Sequence, residues 1–309
     1  RAVILYLDWR SFGLLFSFPF LAIRSFLVGI THTKALSWAA AIAVLINIPL
    51  NFYLIFTREL GISGAAIASS LAEMGSFMML SFYMWIRLDK EKYGLRPVYN
   101  GNLLIKVLKL STWSMLHALI SVAPWFLFFV SIEHLGKIEL AISNITRSVS
   151  AIFFVIANSF ALTTGSLVSN AIGAGEGKTL FSICSKILKL GYTIGFPLVA
   201  IALLCNRWII GFYTSNELLI QLAFAPFVVM LLNYTFALPG YVYLNAVGGT
   251  GKTQMTFLFQ VTTTAIYLVY LYWLGRYTQA PLAIYLTAEY VFVILLATQS
   301  IFYLKKKHY

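Results

Sequence analysis

Chemistry in this chain has to be sought among a few polar residues set in long apolar runs. Glu73 and Glu289 are the clearest, standing roughly three and two helical turns into stretches that otherwise read as hydrophobic. A charge at the centre of a membrane-crossing helix costs about 2.5–3.5 kcal/mol on insertion scales. A carboxylate kept there either takes up a proton or a cation that compensates its charge, or bonds a neighbouring helix as a structural group. Arg147 and Asn144 are three residues apart and share a helix side, with Asn158 further along the same run. Such a polar stripe can line an interior cavity, with Arg147 paired to a carboxylate from another span. The competing reading is an arginine reaching back to the interface, which fits Arg24 better because it lies near the end of its run. Asn47 and Asn51 stand at i and i+4 around Pro49, so two amides gather beside a carbonyl that the proline leaves without a donor. That arrangement suits an ion or a polar relay, or a bridge between helices. Trp125, Tyr241, Tyr243, Tyr267 and Tyr285 can stack on flat cations. With 16% aromatic residues, however, most such rings must pack or face lipid.

Other chemistries are excluded. Ala246–Thr253 (AVGGTGKT) fits a relaxed phosphate-loop pattern, but both flanks are long apolar runs where a phosphate loop needs a strand and a soluble helix. His32, His117, His134 and His308 are scattered, so neither a metal site nor a Ser/His/Asp grouping is visible, and no cofactor is implied. Cys184 and Cys205 lie at opposite ends of one run, roughly 30 Å apart along a helix, too far to pair.

These residues are positioned by helices in a bilayer. Hydrophobic residues make up 60% of the chain and charged residues 10%, against about 45–50% and about 25% in soluble domains. Apolar blocks at 11–30, 35–56, 62–86, 110–132, 140–168, 188–205, 219–247, 255–274 and 282–304 predict about nine spans, each able to cross some 30 Å of hydrocarbon. Pro19, Pro49, Pro124, Pro197, Pro226 and Pro239 fall inside them and predict kinks. Lys34, Arg87, Lys90, Lys92, Arg96, Lys106, Lys109, Lys178, Lys186, Lys189, Lys252 and Lys305–Lys307 fall on one side. Arg1, Arg10, Arg58, Lys137, Arg207 and Arg276 fall on the other. The richer side is expected to be cytoplasmic, with the C-terminus inside. The net charge of +12 thus reads as topology, since it forms no basic face with stacking residues for nucleic acid.

Val28–Lys34 returns as Val247–Thr253, and each copy is followed by two spans, the second carrying Leu71-Ala72-Glu73 or Thr287-Ala288-Glu289. Spans one to three therefore correspond to spans seven to nine in the same orientation, a parallel repeat of the kind transporters use. With a six-span unit, residues 110–309 form a complete C-terminal lobe, residues 1–88 the last three spans of an N-terminal lobe, and residues 89–109 a cytoplasmic linker. The first unit then lacks its opening three spans.

Four stretches resemble the multidrug and toxic compound extrusion (MATE) family of antiporters. Tyr6–Thr33 is similar to its fourth span, Ile46–Asn51 with Leu54-Ile55-Phe56 to its fifth, Gly61–Ala68 to the start of its sixth, and Leu140–Gly175 to its eighth and exit. The resemblance implies an all-α membrane protein of two six-helix lobes. It also implies alternating access, with sodium or proton entry driving export of cationic, amphipathic small molecules by a monomer in the cell membrane. The chain departs from the family at several points. The spans matching those that hold sodium in one branch, about 110–132 and 219–247, have no acid within the apolar stretch, and Asn51 stands where an Asp is common. The coupling ion, Na+ or H+, therefore stays open. Two rivals remain. One is a lipid-linked oligosaccharide flippase of the same superfamily, which calls for a more cationic cavity. The other is a membrane-embedded enzyme, which needs clustered acids or histidines near one membrane face.

Overall fold

The computed structural model describes residues 2–89, 91–94, 99–278 and 280–307, with side chains from Ile4 onward. Arg1, Lys90, Arg96 and His308 lie outside these residues. Within them the chain forms helices and turns: α1 (Ala2–Gly29), α2 (Lys34–Phe52), α3 (Gly61–Arg87), α4 (Gly101–Ile132), α5 (Lys137–Gly173), α6 (Leu180–Leu204), α7 (Asn206–Gly211), α8 (Glu217–Leu232), α9 (Tyr234–Gly249), α10 (Thr253–Tyr277), α11 (Leu282–Leu286) and α12 (Ala288–Lys306). Nine helical stretches among the described residues are long and apolar enough to cross a membrane, in the places the sequence predicts. Only helices answer this composition, because lipid offers no partner to an open backbone amide.

Several ends differ from the sequence reading. α1 begins well before residue 11, α4 begins at Gly101 and α6 at Leu180, so Arg10, Lys106, Lys109, Lys186 and Lys189 all lie on helices. The four lysines stay exposed, which a long stem on a helix surface allows. Two stretches are broken rather than straight: α8 gives way to α9 at Asn233, and α11 to α12 at Thr287. After Pro49, the end of α2 loosens into a π-helical turn at Tyr53–Thr57, the kind of local adjustment that re-satisfies backbone groups a proline frees.

The chain divides into two compact units, residues 1–99 and 100–309. In the first, α3 packs on both α1 and α2 around Leu27, Ala35, Ala39 and Leu80. The Ser76 hydroxyl donates to the Ala39 carbonyl (3.1 Å) and to the Ala72 carbonyl (3.0 Å), fastening α3 to α2. In the second unit, α9 lies against α5 and α12, while α10 lies against α4 and α12. Here Pro239 leaves the Thr235 carbonyl without its helical donor, and the Tyr192 hydroxyl of α6 takes the vacant place at 2.7 Å. Tyr234 returns the bond, donating to the Gly191 carbonyl at 2.9 Å. The two helices approach this closely because α6 carries glycines: a Cβ at Gly195 would run into the Tyr234 ring. Small residues one turn apart, with polar bonds across the seam, are how helices associate in lipid, where burying apolar surface gains little.

Candidate functional site

In the second unit, Arg147 and Glu289 meet inside the helical packing. Arg147 projects from α5 about 15 Å from that helix's start, and its Nη2 donates to Glu289 Oε1 at 2.6 Å. The side chains are 9% and 16% exposed. The guanidinium lies over the Phe128 ring of α4, 4.2 Å from its centroid, and 5.4 Å from that of Phe129. A planar cation can stack on rings in this way while its edge binds a carboxylate. Glu289 sits in the first turn of α12, just past the break at Thr287, where the helix dipole favours negative charge. The Tyr267 hydroxyl of α10, fully buried, lies 3.3 Å from Glu289 Oε1 and 3.5 Å from the Pro124 carbonyl. Tyr241 of α9 is within electrostatic reach of both charges. Arg147 Nε, the Ser143 hydroxyl and the Thr146 hydroxyl are buried on the same turn of α5 with no hydrogen-bond partner among the described residues.

The first unit carries a second carboxylate cluster. Glu73 of α3 accepts hydrogen bonds from Arg10 Nη2 and from the Ser17 hydroxyl, both on α1. It is more open, with Arg10 26% and Glu73 28% exposed. Gly13 makes the approach possible, since a Cβ there would stand 2.6 Å from the Ser70 hydroxyl and 3.1 Å from Arg10 Nη1. The sequence reading put Arg10 on the less basic side, just ahead of the apolar block at 11–30. It lies within a span instead, because Glu73, distant in sequence, neutralises it.

The other sequence candidates fall in different places. Asn51 Nδ2 donates to Asn47 Oδ1 at 2.8 Å, and Asn51 Oδ1 is buried without a further partner among the described residues. Asn144 is exposed and Asn158 half-buried, so the polar stripe on α5 does not hold together: Arg147 turns inward and Asn144 does not. Three residues along a helix leave a rotation of about 60° between side chains, enough to separate them here. Trp125 is exposed and packs edge-on against Phe129, and Tyr241 packs edge-on against Phe154. Arg24 is exposed, as its position near a span end suggests. Tyr267, named in the sequence as a ring able to stack on cations, places its hydroxyl beside Glu289. Ser17 and Phe128 were not singled out, and only their three-dimensional neighbours reveal them.

The groups bonded to Glu289 are donors. A hard cation would need several oxygen ligands, and no group of three or more His, Cys, Asp or Glu occurs among the described residues.

Comparison with known proteins gives this geometry its setting. The family model MatE matches residues 114–274. The chain is 25% identical over 207 residues to a probable multidrug resistance protein NorM of Photorhabdus laumondii, covering 65% of this chain and 45% of that protein. It is 23% identical over 235 residues to the NorM of Idiomarina loihiensis, covering 72% and 50%. To Protein DETOXIFICATION 8 of Arabidopsis thaliana it is 24% identical over 181 residues, covering 57% and 36%. The matches thus span half or less of the length of these curated relatives. Among solved structures, MATE in the bent conformation superposes with a TM-score of 0.84 at 16% identity, covering 99% of this chain and 68% of that one. An outward-facing multidrug resistance MATE family transporter of the MOP superfamily gives 0.77 at 17%, covering 88% and 61%. The fold agrees with these structures, the family model covers more than half of the 309 residues, and the chain belongs to the MatE family.

Proposed function

We propose that the protein is a secondary active transporter that exports cationic, amphipathic small molecules by alternating access, and that protons, not sodium, drive it. The observation that carries the choice of ion is the surroundings of Glu289. Its contacts are an arginine and a tyrosine hydroxyl, which can give way to a single proton on one oxygen but offer no oxygen cage to a metal ion. In this reading residues 110–309 form one six-helix lobe. Residues 1–88 form the last three spans of the other, and the cytoplasmic linker of the sequence reading is shortened at its end because α4 begins at Gly101. Glu289 is the proton-exchanging carboxylate of the C-terminal lobe, while Glu73 with Arg10 holds α1 to α3. Asn47, Asn51, Asn144 and Asn158 supply polar contacts, and Trp125 and Tyr241 apolar ones, along the substrate route. The protein works as a monomer in the cell membrane with its C-terminus inside. Its named relatives include multidrug resistance proteins, which supports the substrate class.

Inside-out vesicles carrying the full-length protein test the proposal. A fluorescent lipophilic cation should accumulate when an inward-acid pH gradient is imposed and not under a sodium gradient alone. Accumulation driven by sodium would refute the choice of ion. No response to either gradient, with the protein inserted, would point to the flippase. That alternative has little from the charges: Arg10 and Arg147 are already paired with carboxylates.

A further inference from the structure

His117, isolated in the sequence, stands in a particular place in the fold. Three contacts set the register of α4 against α10. The Thr253 hydroxyl donates to the Leu110 carbonyl at 3.2 Å, the Trp113 and Phe257 rings lie 5.4 Å apart, and the Tyr267 hydroxyl lies 3.5 Å from the Pro124 carbonyl. The two helices therefore run parallel and in step, and Leu110, Trp113, His117 and Pro124 share the α4 side turned to α10. His117 falls level with Gln260. Its Nε2 is buried and has no hydrogen-bond partner among the described residues. Opposite it, α10 buries a polar face: Thr256, Gln260, Thr263, Thr264 and Tyr267, which fall along one side of the helix. The Thr264 hydroxyl is also unpartnered among the described residues, and Thr263 accepts from Gln299 of α12 at 3.2 Å. This face begins in the first turn of α10 and ends, roughly 16 Å along the helix, at the tyrosine beside Glu289.

We propose that His117 is a proton-relay residue, and that the polar face of α10 conducts protons between Glu289 and the membrane surface at the start of α10. The inference rests on the reading of Glu289 as the proton-exchanging carboxylate. An imidazole accepts a proton on one ring nitrogen and releases one from the other, so it returns to its neutral form with one proton moved. Tyr267 likewise receives a proton on its oxygen as its own passes on. Water entering among the threonine hydroxyls carries the proton over the remaining steps. Each side chain ends neutral, and rotation of the imidazole and the hydroxyls restores the starting tautomer and orientation before the next proton. The charged and titratable groups facing the route are Arg147 from α5, Tyr241 from α9 and Glu289 itself. Lys106 and Lys109, on α4 toward its start, are exposed.

Proton release triggered by a transported lipophilic cation, followed by stopped flow with a pH dye on purified full-length protein, tests the relay. His117→Gln should release protons at least tenfold more slowly than the parent. The number released and the affinity for the cation should stay unchanged, as they would not if the histidine only braced the fold. Gln260→Leu, an apolar replacement suited to lipid, should slow release in the same way and serves if the histidine variant does not assemble. Parent-like release from either variant, with binding intact, would overturn the relay while leaving Glu289 in place. An absence of release from the parent protein would instead remove the reading on which the relay depends.

Discussion

Arg147 carries its charge into the second unit at a cost that Glu289 offsets. Breaking a buried pair by removing one partner strands the other and typically costs about 3–5 kcal/mol, whereas replacing both with apolar groups is often neutral. Glu289→Gln or Arg147→Met alone should therefore lower the thermal stability of the detergent-solubilised protein sharply, and the double variant should regain most of the loss. Additive losses in the double variant would mean that the two charges do not depend on each other. At this scale the sequence was partly legible. Arg147 could be expected to seek a carboxylate because few lie within the spans. Arg10 could not be placed, since it stands just ahead of the apolar block at 11–30 and its partner Glu73 is distant in sequence. The role of Tyr267 was hidden for a similar reason: a tyrosine in an apolar run looks like any other ring until its hydroxyl has a neighbour.

Helices α6 and α9 hold each other through a defect. Pro239 removes one backbone donor, and Tyr192 supplies a replacement. Tyr192→Phe should destabilise the protein by about 0.6 kcal/mol, the average for hydrogen bonds between membrane helices, and by no more than about 1.7 kcal/mol, their maximum. In a Pro239→Ala background, where the backbone amide of residue 239 can bond Thr235 itself, the same substitution should cost much less. Equal costs in both backgrounds, read from unfolding in mixed micelles, would show that the tyrosine does not compensate the proline. The spans were legible in the sequence because hydrophobic length is what the bilayer selects. The breaks at Asn233 and Thr287 were not. A proline in a span marks where a hydrogen bond is lost, and tertiary neighbours decide where the chain bends.

Across the whole chain, the repeat of Val28–Lys34 in Val247–Thr253 has a counterpart in packing: α3 lies against α1 and α2 much as α12 lies against α9 and α10. Each copy keeps a glutamate on its last span, yet the arginine partners do not correspond: Arg10 comes from α1, whose counterpart in the repeat is α8 with α9, and Arg147 comes from α5. Similar sequence thus predicted the position of the acid and not its neighbour. The proposed orientation has a test of its own. Cys205, exposed at the turn between α6 and α7, should react with a membrane-impermeant maleimide added outside right-side-out vesicles. A C-terminal tag should be reached only after permeabilisation. The reverse pattern would invert the topology.

The central claim is that Glu289 couples proton movement to export, and proteoliposomes holding equal amounts of parent protein and Glu289→Gln test it most directly. Both should exchange labelled for unlabelled lipophilic cation at equilibrium, but only the parent should concentrate the cation when a pH gradient is imposed. Gradient-driven accumulation by Glu289→Gln at the parental level would contradict the account.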